Sequence, residues 1–370
     1  MSPRQIKINA ALAAIAVVLS LAIGELALRF FVTLPLARVD PEVRYRPDPV
    51  RRFSLLPNQT AFTYGARITI DEDGFRRNAD VPLAPQRNGP VVLALGDSFT
   101  FGLGVRDGDT WPAQLEARLR AQTGRDVTVV NAGTISYGVF QELDLLQSTG
   151  LQVRPAIVVH GLYWNDFMNA APPPAEAPPV LTPDGHFVWD RPPDNGTVVR
   201  RLASWTFANS ALLFSMRQAA ARLWSAGDAN VGTSAYAQAF NQMLERGLSD
   251  EDWKPIENFY IDLQRLGREH SFETLVVIMP VRAIVCRPGA ANQPYPAQAR
   301  QRLEALGMAY VDGFSLWTQP NCGTDTFLPE GPDGHLNSAG YRLIADAVAA
   351  RLAATPKLAH KFDDYPGAAQ

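Results

Sequence analysis

Between residues 91 and 354 the sequence repeats an alternation that few folds can satisfy. Short, mostly apolar runs alternate with longer stretches of helical periodicity. The runs are VVLAL (91–95), VTVVN (127–131), AIVVHGL (156–162), TLVVIMP (274–280) and AYVDG (309–313). The helical stretches are TWPAQLEARLRAQTG (110–124), GVFQELDLLQSTGL (138–151), WKPIENFYIDLQRLGREH (253–270), PAQARQRLEALG (296–307) and NSAGYRLIADAVAARLAA (337–354). Gly124 reads as a helix stop, and Asn337 or Ser338 as a helix cap. A strand without a polar face is covered on both sides, and strands joined through helices run parallel. The pattern predicts an α/β chain with a central, mostly parallel five-stranded sheet between two helical layers. At 370 residues and 46% hydrophobic, the chain can bury one large core or two smaller ones.

The N-terminus differs in kind. Arg4 and Lys7 precede INAALAAIAVVLSLAIG (8–24), and ELALRFFV follows. This run reaches the ~17–25 apolar residues of a spanning helix, with Glu25 and Arg29 spaced to pair across one turn. The positive flank would stay in the cytoplasm and send the remainder outward. The expected location is therefore the inner (cytoplasmic) membrane, single-pass, with an extracytoplasmic, periplasmic domain. A cleaved signal peptide, using Ala22 and Gly24, is the competing reading; the apolar run continues through Phe30, Phe31 and Val32, which favours an uncleaved anchor. The expected divisions are 1–32 (cytoplasmic N-terminus and transmembrane anchor), 33–88 (extended connector with a short strand at 67–70), 89–356 (main domain) and 357–370 (tail). An insertion, 167–252, opens with a Pro-rich loop and carries Trp205, Phe207, Phe214 and Trp224. Cys286 and Cys322 can pair in an oxidising compartment or remain free.

Open parallel sheets gather reactive groups at the carboxyl ends of their strands. Here the first strand ends in Gly96-Asp97-Ser98, the second in Asn131-Ala132-Gly133, and the third in HGLYWNDF with Gly161, Asn165 and Asp166. Asp333 and His335 stand just before the last helix. These are the parts of acyl transfer. A serine hydroxyl needs a base, and His335 alone among the histidines sits at such a junction beside an acid and outside the insertion. His160 reads as a core residue and His186 as a turn. An oxyanion needs donors set in advance: the Ser98 and Gly133 amides and the Asn165 side chain. Asp97 reads as a brace for the turn.

The pattern resembles the SGNH hydrolases, the GDSL esterase/lipase family. Gly96-Asp97-Ser98 matches their first block, Gly133 their second-block glycine, and Asn165 the asparagine of their Gly-x-Asn-Asp block, with Gly161 farther away than usual. His335 matches the histidine of their Asp-x-x-His block, but Pro332 occupies the acid's place and Asp333 is the nearest acid. The N-terminal run and DEDGFRR (71–77) look like the membrane-anchored bacterial branch. The resemblance implies a three-layer α/β/α, flavodoxin-like fold and ester hydrolysis or acyl transfer without a metal or other cofactor; with Pro332 in the acid's place, His335 is oriented either by Asp333 from a different loop geometry or by a backbone carbonyl.

Other classes are disfavoured. The net charge is −3 with no basic stripe, so nucleic acid is not an expected partner. No metal-binding cluster of carboxylates and histidines is visible in the spacing. The expected substrate is a small, acetyl-like ester or an acylated glycan, with Trp111 and Trp164 as possible sugar platforms. Two alternatives stay open: an O-acetyltransferase or deacetylase of cell-surface polysaccharide, and an inactive glycan- or partner-binding relative.

Overall fold

The computed structural model describes residues 2–31, 43–63, 66–78, 89–167, 170, 180–187, 210, 212–213, 215–216, 235–285, 289–317, 325–328 and 334–363. Its centre is a five-stranded sheet of β5 (Val91–Gly96), β6 (Thr128–Gly133), β7 (Ile157–Leu162), β8 (Glu273–Ile278) and β9 (Ala309–Asp312). The strand order is β6-β5-β7-β8-β9 and every pairing is parallel. Every residue of β5, β6 and β7 is buried, as runs without a polar face require. Each such Val, Leu or Ile contributes about 1.5–3 kcal/mol on burial.

Helices cover both faces. Trp111–Thr123 packs against Ser338–Ala354, and Val139–Ser148 packs against Asp250–His270. Local chemistry sets their ends. The Thr110 hydroxyl accepts the Ala113 N–H and Gly124 closes that helix in the left-handed region. Ser249 and Asp252 form a capping box, and the Asn337 side chain accepts from Ala339 N and Gly340 N. The order of strands reverses direction about β5, so the chain leaves β5 and β7 beside a switch point, where a crevice opens at the carboxyl edge.

The region expected to be a connector has structure of its own. β1 (Tyr45–Asp48) and β2 (Arg52–Leu55) form one antiparallel hairpin, and β3 (Gln59–Thr63) and β4 (Ala66–Ile70) a second. Alternation in the first was hidden by Pro and Arg, yet Tyr45, Phe53 and Leu55 are buried. Phe53 meets the Tyr137 ring at 5.2 Å and its carbonyl accepts the Tyr137 hydroxyl at 2.7 Å. The C-terminal stretch, expected as a tail, begins with a helix, Pro356–Asp363, that buries Leu358 and Phe362.

The N-terminal stretch is a 29-residue helix, Pro3–Phe31, with Arg29 Nε donating to Glu25 Oε1 at 2.8 Å as its spacing requires. The transmembrane span expected here is not found: among the described residues no helix is long and apolar enough to cross a membrane. The part free of charge and amide, between Asn9 and Glu25, falls short of the ~20 apolar residues that a bilayer core demands. Cys286, Cys322 and the insertion's Trp205, Phe207, Phe214 and Trp224 lie outside the described residues.

Candidate active site

β5 ends at Gly96, and a short helix, Ser98–Phe101, follows at once. Asp97 caps it, its carboxylate accepting the Phe99 N–H at 2.8 Å. The Ser98 N–H is then the first helical amide, without an intrahelical acceptor. Beneath this helix Gly96 pairs with Gly133 of β6 on one side and Gly161 of β7 on the other. The three form a shelf with no side chains. A Cβ on Gly133 would stand 2.1 Å from Phe101 N, and one on Gly161 2.6 Å from Thr100 Oγ1. Glycine stands at or next to the end of each of these strands because the nucleophile helix rests directly on their backbones.

Arg76 fixes the other end of the same turn. Its guanidinium is fully buried and donates to the carbonyls of Phe101 (2.7 Å), Gly102 (2.6 Å) and Val105 (2.6 Å) and to Asp107 (3.1 Å). It also lies over the Phe101 ring, 4.8 Å from the centroid. Its backbone N–H donates to Asn131 O. Arg76 belongs to DEDGFRR, which sequence reasoning singled out without a role; a buried arginine gives no periodic signal that would reveal one.

His335 arrives from the loop ahead of the last long helix. Its Nε2 lies 2.9 Å from Ser98 Oγ, although 237 residues separate them in sequence. The imidazole stacks on Phe99, centroids 4.4 Å apart and 22° between planes. His335 is 3% exposed and Ser98 7%. Burial pushes the imidazole down from its usual 6.5 to about 4, with no charged neighbour among the described residues to offset it. The ring is therefore neutral at neutral pH, with a lone pair available to take a proton. Asp333 lies outside the described residues.

The remaining expected residues divide. Asn165 sits in the turn after β7, where its side chain helps to hold the Asp97 carboxyl down, and has a buried Oδ1 without a hydrogen-bond partner. Gly133, expected as an oxyanion donor, gives its N–H to Asn131 Oδ1 at 3.1 Å; its contribution here is close approach. Asp97 is fully buried and pushed up to about 7, mainly by burial and also by Glu142, against hydrogen bonds from Phe99 N–H, Asn165 and Ser98. Trp111 and Trp164, considered as sugar platforms, are buried core rings. His160 is a core residue, as expected, and His186 follows a turn closed by Gly185.

This arrangement can activate a hydroxyl for attack on a carbonyl and collect negative charge beside it. A model of the GDSL-like lipase/acylhydrolase family matches residues 94–343. No curated protein matches the sequence. Several solved structures are similar. A G-D-S-L family lipolytic protein from Desulfitobacterium hafniense is 14% identical, covering 71% of this chain and 99% of that one, with a TM-score of 0.36. The acetyl xylan esterase AlAXEase is 15% identical over 70% and 98%, TM-score 0.40. A catalytic mutant of Axe2, an acetylxylan esterase from Geobacillus stearothermophilus, is 12% identical over 72% and 96%, TM-score 0.39.

Proposed function

We propose a mechanism and a substrate class for this chain, which belongs to the GDSL-like lipase/acylhydrolase family and is an ester hydrolase. Ser98 Oγ attacks the ester carbonyl while neutral His335 takes its proton at Nε2. The observation that carries this reading is the 2.9 Å contact between these atoms at the end of β5. The developing oxyanion is met by the Ser98 N–H and by the Asn165 amide, which has a second N–H beyond the one that a bond to Asp97 would use. His335 then protonates the leaving alcohol. Water, deprotonated by the same ring, releases the acid. Asp333 has the role of orienting His335, and Asp97 braces the turn.

A short acyl group fits this site best. The nucleophile is nearly buried, and Phe99 and Tyr163, whose ring centroids are 3.9 Å apart, fill the space beside it. The chain acts at the surface of a membrane, on its extracytoplasmic side. Support comes from the N-terminal helix, where Ile8, Leu12, Ile15, Val17, Val18, Leu19, Leu21, Ile23 and Leu26 are 44–66% exposed. Surface apolar groups on that scale need a partner phase, and Arg4 and Lys7 precede them.

The test is turnover of p-nitrophenyl acetate, butyrate and octanoate by the full-length chain and its His335→Ala variant. Acetate turned over fastest, with all turnover lost in the variant, is expected. Octanoate turned over fastest would reject the short-acyl assignment, and an active variant would reject His335 as base. Co-sedimentation with membranes, lost on deletion of residues 2–31, tests the location.

A further inference from the structure

Behind the nucleophile turn the core buries more acid than base. Glu142 on the Val139–Ser148 helix, His160 within β7 and Asp166 just past it are all fully buried, as is Asp97. Among the described residues no lysine or arginine forms an ion pair with any of these carboxyl groups; the one basic partner is His160. His160 Nε2 lies 2.8 Å from Glu142 Oε2, and Nδ1 lies 3.0 Å from the Tyr260 hydroxyl. Asp166 Oδ2 accepts the Tyr163 N–H at 2.8 Å. The other two oxygens, Glu142 Oε1 and Asp166 Oδ1, have no hydrogen-bond partner. A buried carboxylate oxygen without donor or counter-charge is costly to keep. Two of them, on residues whose ligand atoms lie within 4.8 Å of one another and of an imidazole nitrogen, point to one missing positive centre.

We propose that Glu142, His160 and Asp166 bind one divalent first-row cation, zinc or manganese. The donor set suits these ions: one imidazole nitrogen with carboxylate oxygens. The spacing suits them too, since bonds of ~2.0–2.2 Å hold neighbouring donors roughly 3–3.5 Å apart, within reach of small rotamer changes. Tyr260 supplies the contact that a metal-bound imidazole needs. In the tautomer that a metal-bound ring would take, Nδ1–H donates to the Tyr260 oxygen and the Nε2 lone pair faces the carboxylates. None of the three ligands hydrogen-bonds to Ser98 or His335. The ion would therefore hold the strand ends behind Asp97 and Asn165, outside the reaction itself. Spacing along the chain does not announce the site, because its ligands come from a helix, a strand and a turn. The expectation of no metal-binding cluster is revised accordingly.

The experiment uses the full-length chain, produced with zinc and manganese supplied and passed through a chelating column to remove loose ions. Metal per chain is counted by plasma mass spectrometry, and melting is followed in stripped protein with each chloride salt added. The expected result is about one equivalent of one ion per chain, and a melting temperature that rises with that ion in wild type but not in Asp166→Asn. Under about a tenth of an equivalent, with neither salt raising the melting temperature of a folded wild type, would overturn the site and leave protons as the balancing charge. Both wild-type readings decide the matter even if Asp166→Asn fails to fold. They are also independent of whether Ser98 is the nucleophile.

Discussion

Ser98 and His335 face each other across 2.9 Å, but the two sides are held by different means. Around Ser98 the hold is made of backbone and many polar bonds. The glycine shelf supports its helix from below, Asp97 caps it, and Arg76 ties down the carbonyls at its far end. Around His335 the backbone carbonyl accepts the Leu328 N–H, but among the described residues the hold on the ring behind its Ser98 contact is apolar: burial, and stacking on Phe99. The side that receives the substrate's developing charge is fixed through the main chain, where small errors in donor position are expensive. The side that moves a proton is tuned by solvent exclusion, which sets its charge state.

Substitutions can break this contrast. The largest effect belongs to Ser98→Ala, expected to lower kcat by about 10⁴-fold or more while the thermal melt stays near wild type. Asn165→Ala should lower kcat by about 10²–10³-fold with KM little changed; a loss under about threefold would remove Asn165 from the oxyanion site. Gly133→Ala strikes the shelf, since its Cβ would overlap Phe101 N and Thr100 C. It should destabilise the fold by roughly 1–3 kcal/mol or more in a urea titration, whereas Gly124→Ala, with open space around it, meets only the backbone cost of a positive φ.

The smallest effect sharpens the other side. His335 works as a base only while neutral, so kcat/KM holds as pH falls through 6 and is lost as it passes about 4. Phe99→Ala opens the ring to water, which removes the cause of the depression. The acid limb should then move upward, toward the ordinary 6.5 of an exposed imidazole. An unmoved limb would show that something other than burial sets the charge state of His335.

Much of this was legible in the sequence because the central sheet depends on pattern. The mostly apolar runs at 91–95 and 156–162 and the helix signals at Gly124 and Asn337 all appear within a residue or two of where they were expected. The meeting of Ser98 with His335 followed from strand-end logic. The strand expected at 67–70 is β4, Ala66–Ile70, but the first hairpin was hidden because its apolar residues gain meaning only against Tyr137 and Phe187. Arg76 was hidden for a related reason: its bonds go to main-chain carbonyls some 25–29 residues away. Gly133 was read by position, but the fate of its N–H depends on how Asn131 turns its side chain.

The central claim is that Ser98 is a nucleophile activated by His335. Its most direct test is reaction of the folded, full-length chain with a fluorophosphonate, followed by peptide mass spectrometry, beside the Ser98→Ala variant. The mechanism predicts one adduct, on Ser98, and no labelling of the variant. Unlabelled wild-type protein with an intact melt, or equal labelling of the variant, would contradict it.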